Sequence, residues 1–182
     1  MTDLPLHFWT FLLQLPGYVV VHVQKESDLG CYRITVVPEH RIGVCPHCGK
    51  AIDEVHQTRS REGIHDLPIS QYKVELKVRV CQFECPRCSC AFTPAVPFLA
   101  EGAHATERFM ERAAEMIRTS DMANVGALLG VPEQTLGRWY YDYLKRRQAA
   151  PDQALKPIQR IGIDELSLKK TPPVRRRDCG SR

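Results

Sequence analysis

Two pairs of cysteines constrain this chain more tightly than anything else in it. The first reads Cys45-Pro46-His47-Cys48-Gly49-Lys50 and the second Cys85-Pro86-Arg87-Cys88, with 36 residues between them. A Cys-x-x-Cys spacing offers two thiols from one tight turn, and two such turns complete the tetrahedral ligand set of a structural zinc ion. The proline narrows each turn, and Gly49 permits the positive φ that such a knuckle needs; Ser89 takes the matching place after the second pair. The expected metal ligands are therefore Cys45, Cys48, Cys85 and Cys88. Cys81 and Cys90 flank the second pair, and either could stand in for a knuckle cysteine. His47, His56 and His65 read as surface histidines.

Between the pairs, Val74, Leu76, Val78 and Val80 alternate with polar partners, the pattern of a half-buried strand. That strand would deliver the chain to the second knuckle. Arg59 to Leu67 reads as a polar turn region. The unit over 45–92 is then a zinc ribbon, two β-hairpins clamped by one ion. A core of ~50 residues holds itself weakly, whereas structural zinc contributes roughly 10–16 kcal/mol in small peptides.

Composition narrows the rest. The chain has 182 residues, 43% hydrophobic and 25% charged, which are globular values. The net charge is +4, but Lys169 to Arg182 alone hold six Lys/Arg against one Asp. Global charge is thus no argument for nucleic acid, and any such case must come from local faces. The paired cysteines speak for a metal site in a reducing cell rather than a disulfide scaffold. With Asp3, no basic region and no small-residue cleavage site, the N-terminus does not read as a signal peptide. Gln14, Pro16, Gly17 and His22 interrupt the apolar run from Phe8 to Val23, so no membrane span is expected. A thioredoxin-like role would place one Cys-x-x-Cys near a βαβ pattern, which is absent. The expected location is the cytoplasm, in association with the nucleoid.

Upstream, over 1–44, Leu4 to Leu15 reads as a helix with Phe8, Phe11, Leu12 and Leu15 inward, ended by Pro16-Gly17. Tyr18 to Gln24 and Cys31 to Val37 read as a β-hairpin. Downstream, 93–103 reads as a linker. A helix from Thr106 to Arg118 follows, with Thr106 as N-cap and Ala105, Phe109, Ala113, Met116 and Ile117 buried. Asp121 caps a short helix to Leu129, with Met122, Val125, Leu128 and Leu129 inward. Gly130-Val131-Pro132 is a turn, and Glu133 to Arg146 a further helix with Leu136, Trp139, Tyr140, Tyr143 and Leu144 on one side. Gly126 falls where crossing helices need a small residue, while Gly137 costs up to about 1 kcal/mol inside its helix.

Helix, glycine turn and helix over 104–147 make a helix-turn-helix. Its second helix would offer Gln134, Thr135 and Arg138 to base edges, with Lys145, Arg146 and Arg147 on phosphates. The plainer reading is an αα-hairpin with a solvated basic end. A linker over 148–160 leads to Ile161 to Leu168, a strand that opens a further segment over 161–182. An Asp at such a place is ordinarily a turn or solvent group.

In combination these residues resemble the N-terminal half of bacterial insertion-sequence transposases of the ISL-three type. The likeness runs from Leu15-Pro16-Gly17 through both cysteine knuckles and the Leu129-Gly130-Val131 turn to Gly162-Ile163-Asp164-Glu165. It implies an α+β chain: an N-terminal β-hairpin and zinc ribbon, a small helix-turn-helix domain, and a stub of an RNase H-like domain. It also implies double-stranded DNA at transposon inverted repeats as partner, and a homodimer to pair two ends. Asp164 would be the first of three acids that hold two divalent ions such as Mg in DDE transposases. Glu165 and Asp178 are the only acids after it, too few for that triad. The expectation is therefore a truncated or frame-shifted transposase fragment that binds DNA and is not an enzyme by itself. Reading the downstream DNA in the other two frames tests this. The alternative is a zinc-containing helix-turn-helix transcription regulator.

Overall fold

The structure, a computed structural model, describes residues 4–148. Asp164 and its expected Mg ions, the 161–182 stub and the 149–160 part of the second linker lie outside the described residues. The mixed α+β character holds: seven strands and four α-helices follow one another among the described residues. Helix α1 (Leu6–Leu13) precedes β1 (Tyr18–Glu26) and β2 (Cys31–Pro38), which pair antiparallel as the expected hairpin. Two short strands, β3 (Gly43–Val44) and β4 (Ala51–Ile52), flank the first knuckle. The long strands β5 (Val55–Ile69) and β6 (Tyr72–Cys85) form a second antiparallel pair, and β7 (Cys90–Phe92) adds to the end of β6.

Arg59 to Leu67 is thus strand rather than turn. Its N-terminal half is exposed on both faces, so it carries no alternation, and register shifts absorb irregular points near Gln57, Glu62-Gly63 and Leu67-Pro68. β2 lies parallel to β6, so the sheet runs β1-β2-β6-β5 and joins the N-terminal hairpin to the long strands. Val20, Ile34, Val36, Val74, Leu76, Val78 and Val80 fill its buried face. Trp9 and Leu13 of α1 cover them, together with Val96 and Phe98 from the stretch expected to be a linker. α1 therefore turns a different side inward from the one expected. Phe8, Phe11 and Leu12 are exposed, Phe11 at 72%, because the helix is apolar almost all round and its periodicity does not select a face.

Burial along β6 switches from even positions, Val74 to Val80, to odd positions, Cys81, Phe83 and Cys85. Successive side chains of a strand point to opposite faces. β6 thus supplies one face to the sheet core and then the other to a small ribbon core of Cys45, Ile52, Cys81, Phe83 and Cys85.

The three remaining helices, α2 (Glu107–Ile117), α3 (Met122–Leu129) and α4 (Glu133–Gln148), share a core of Phe109, Met110, Ala113, Val125, Leu129, Leu136, Trp139 and Tyr143. Thr106 caps α2 through the Phe109 N–H, and Asp121 caps α3 through the Asn124 N–H at 2.8 Å, as their residue types require. Leu128 corrects the expected pattern: it is 69% exposed while Leu129 packs inward. Gly130 ends α3 in the left-handed conformation at φ 72°.

The helices are fastened to β5 by backbone and by a buried carboxylate. The Thr106 N–H donates to the His65 carbonyl and the His65 N–H to the His104 carbonyl, both at 2.9 Å. Asp66, 2% exposed, accepts from the Thr106 hydroxyl and from Arg108 Nε, both at 2.7 Å, and also pairs with a terminal nitrogen of Arg108. Arg108 donates onward to the Leu13 carbonyl at 2.6 Å, which ties α2 to the end of α1.

Removing Asp66 leaves a half-buried guanidinium and a buried hydroxyl without their acceptor. Asp66→Ala is expected to cost about 3 kcal/mol in urea unfolding. Two glycines should respond with opposite signs. A Cβ on Gly126 would come within 2.7 Å of the Val131 carbonyl oxygen, whereas one on Gly137 would meet nothing within 4 Å. Gly126→Ala should destabilise by about 1–3 kcal/mol and Gly137→Ala should stabilise by about 1 kcal/mol, both readable from thermal midpoints.

Candidate metal centre

Each cysteine pair sits at the tip of a hairpin. β3 and β4 pair around Cys45 to Cys48, and β6 and β7 around Cys85 to Cys88. The two turns share one hydrogen-bond pattern. The Gly49 N–H donates to the Cys45 carbonyl at 2.9 Å and the Ser89 N–H to the Cys85 carbonyl at 2.8 Å. Both donors lie in the left-handed region, Gly49 at φ 70° and Ser89 at φ 50°. Gly43 lets the first hairpin close against the ribbon core, since a Cβ there would overlap the Phe83 ring at 2.5 Å. Phe83 in turn stacks on Phe92 at 5.8 Å between centroids.

The Sγ atoms of Cys45, Cys48, Cys85 and Cys88 all lie within 4.8 Å of one another. Cys48 and Cys85 are 3.7 Å apart. Thiolates at about 2.3 Å around one zinc ion have tetrahedral edges of about 3.8 Å, so this spacing fits such an ion. Cys45 and Cys85 are buried, Cys48 is half-buried and Cys88 is exposed. Cys81 lies in the ribbon core outside this group.

The thiols do not share the site easily without a cation. Burial pushes the Cys45 thiol up, yet the backbone N–H groups of Cys48 and His47 and the Cys85 and Cys90 thiols prevail and bring it down to about 6. Cys88 moves the other way, up to about 12, through its contact with Cys48, then burial, then Cys85. Two thiols of one cluster are thus pushed in opposite directions. A divalent ion removes that conflict, because it deprotonates a coordinating thiol outright.

No histidine side chain belongs to this cluster among the described residues. His47 is exposed, and His56 is exposed 3.5 Å from Glu84. His65, expected on the surface, is instead half-buried against Phe109 and Trp139, and burial lowers its pKa. Among the helical candidates, Gln134 and Arg138 are exposed on the first turns of α4, while Thr135 is half-buried. At its other end Arg146 reaches Glu101 at 3.7 Å, Arg147 reaches Glu111 at 3.3 Å, and Lys145 lies 3.9 Å from Asp142.

Residues 41–88 match the family model of the zinc-finger of transposase IS204/IS1001/IS1096/IS1165. The chain is related to insertion-sequence transposases of the ISL-three type. Over 155 residues it is 24% identical to the transposase for insertion sequence element IS1001 of Bordetella parapertussis, a match over 85% of this chain. The match covers 37% of that relative, so the chain spans much less than the relative's full length. No solved structure matches the chain. The transposase-type ribbon with four close cysteines supports a structural zinc ion. Among the described residues no helix is long and apolar enough to cross a membrane.

Cys90, left open from the sequence as a stand-in ligand, lies 3.6 Å from Cys45, Sγ to Sγ, opposite Cys85 in the β6–β7 ladder. Sequence reasoning missed one feature here. The buried carboxylate of Asp66 had no signal in its neighbours. The two knuckles also yield a prediction. A side chain in the left-handed region costs about 1 kcal/mol relative to glycine. Ser89→Gly should stabilise the zinc-loaded protein by about that amount, and Gly49→Ala should destabilise it similarly, as read from denaturant midpoints.

Proposed function

We propose that this chain is the DNA-binding portion of an insertion-sequence transposase, and that it binds the inverted repeats at the element's ends as a homodimer. Zinc, held by Cys45, Cys48, Cys85 and Cys88, folds the ribbon. α3, the Gly130 turn and α4 act as the helix-turn-helix, with α4 entering the major groove. Gln134 and Arg138 face base edges, and half-buried Thr135 contributes from the helix flank. Lys145, Arg146 and Arg147 lie against phosphates, the latter two exchanging Glu101 and Glu111 for the backbone.

The observation that carries this reading is the capped α3–α4 pair with polar, exposed residues on the first turns of α4. The printed name of the relative supplies the context of an insertion-sequence element. The decisive experiment is a gel shift on the flanking inverted repeats at fixed salt, with and without a zinc chelator. Specific retardation that the chelator abolishes supports the proposal. Binding confined to a promoter operator would overturn it in favour of a regulator.

Two substitutions separate base reading from phosphate contact. Arg138→Ala should cost about 1–3 kcal/mol of binding and relax preference at one position of the repeat. Lys145→Ala should weaken binding to all sequences alike and reduce the salt slope by about one. A fluorescence titration across a salt series measures both.

A further inference from the structure

We propose that the fourth coordination position of the zinc site is shared between Cys88 and Cys90, the ion resting throughout on Cys45, Cys48 and Cys85. This rests on the zinc reading above and goes beyond it by naming a fifth thiol as an exchanging ligand.

The geometry around Cys90 carries the inference. Cys90 is the Cα partner of Cys85 in the β6–β7 ladder. Directly opposed residues of an antiparallel pair put their side chains on one face, Cβ atoms about 5 Å apart. The ladder thus aims Cys90 at the side of the strand from which Cys85 reaches the ion. Its Sγ stands 3.6 Å from that of Cys45, about the edge length of a zinc–thiolate tetrahedron.

The two competitors differ in a useful way. Cys88 is exposed and Cys90 is half-buried. The Cys88 Sγ lies within 4.8 Å of those of Cys45, Cys48 and Cys85. Cys90 approaches the same cluster from the other side of the turn, beside Cys45 and opposite Cys85. Between the rivals sits Ser89, a non-glycine residue in the left-handed region at φ 50°. Non-glycine residues in this region cluster at ligand clamps and switch segments. In the exchange Cys90 gives up its proton as its sulfur binds zinc, and Cys88 takes one as it leaves. The net charge of the centre is unchanged.

A measurement on the unaltered protein tests this. Both cysteines fall within one tryptic peptide, Cys88 to Arg108. Brief alkylation of zinc-loaded protein by iodoacetamide, followed by peptide mass analysis, should give singly labelled peptide in two positional forms, one at Cys88 and one at Cys90. Label confined to Cys90 would overturn the proposal, as would label confined to Cys88. Metal affinity gives a second, independent readout by chelator competition and the cobalt(II) spectrum. Cys88→Ser and Cys90→Ser should each keep a four-thiolate spectrum with affinity within about tenfold of wild type. The double variant should fall at least about a hundredfold, as should Cys48→Ser. A Cys88→Ser protein as weak as Cys48→Ser would overturn the sharing while leaving the zinc assignment intact. A wild-type chain that takes up no metal would overturn both.

Discussion

Mutual repulsion among neighbouring sulfurs is the constraint on which the ribbon end depends. Two hairpin tips bring four thiols within 4.8 Å, and the ionisation of one resists that of the next. A divalent cation turns the repulsion into the main cohesive interaction of the module. Gly43 serves that end because a Cβ there would overlap the Phe83 ring, and Gly49 and Ser89 because their positive φ turns each knuckle.

Much of this was legible in the residues. The cysteine spacing marked the knuckles, and strict alternation from Val74 to Val80 marked β6. Thr106, Asp121 and Gly130 marked helix ends because caps and left-handed turns demand those side chains. What escaped notice did so for physical reasons. β5 is an edge strand exposed on both faces over its first half, so no period marks it. α1 is apolar on nearly every side, so no stripe distinguishes Trp9 from Phe11. The parallel contact of β2 with β6 joins residues about forty positions apart and has no local signature.

The candidate site was legible to a similar degree. The four clustered cysteines were those named from spacing, because the Cys-x-x-Cys turn is a local structure. The approach of Cys90 to Cys45 depends on how the second hairpin continues past its tip, which spacing alone leaves open. Asp66 is the sharper case. Its burial follows from three elements meeting, β5, α2 and the end of α1, and none of them announces the others.

One consequence follows from the length of β6. The strand runs unbroken from the hairpin tip at Tyr72 to the sulfur of Cys85. At about 3.3 Å per residue that is a beam of roughly 40 Å, longer than one turn of duplex. Lys73, at the beam's far end, packs directly on Gly130. The cysteine cluster and the α3–α4 corner thus sit at opposite ends of one continuous strand, and its pairing with β2 and β5 sets the distance between them.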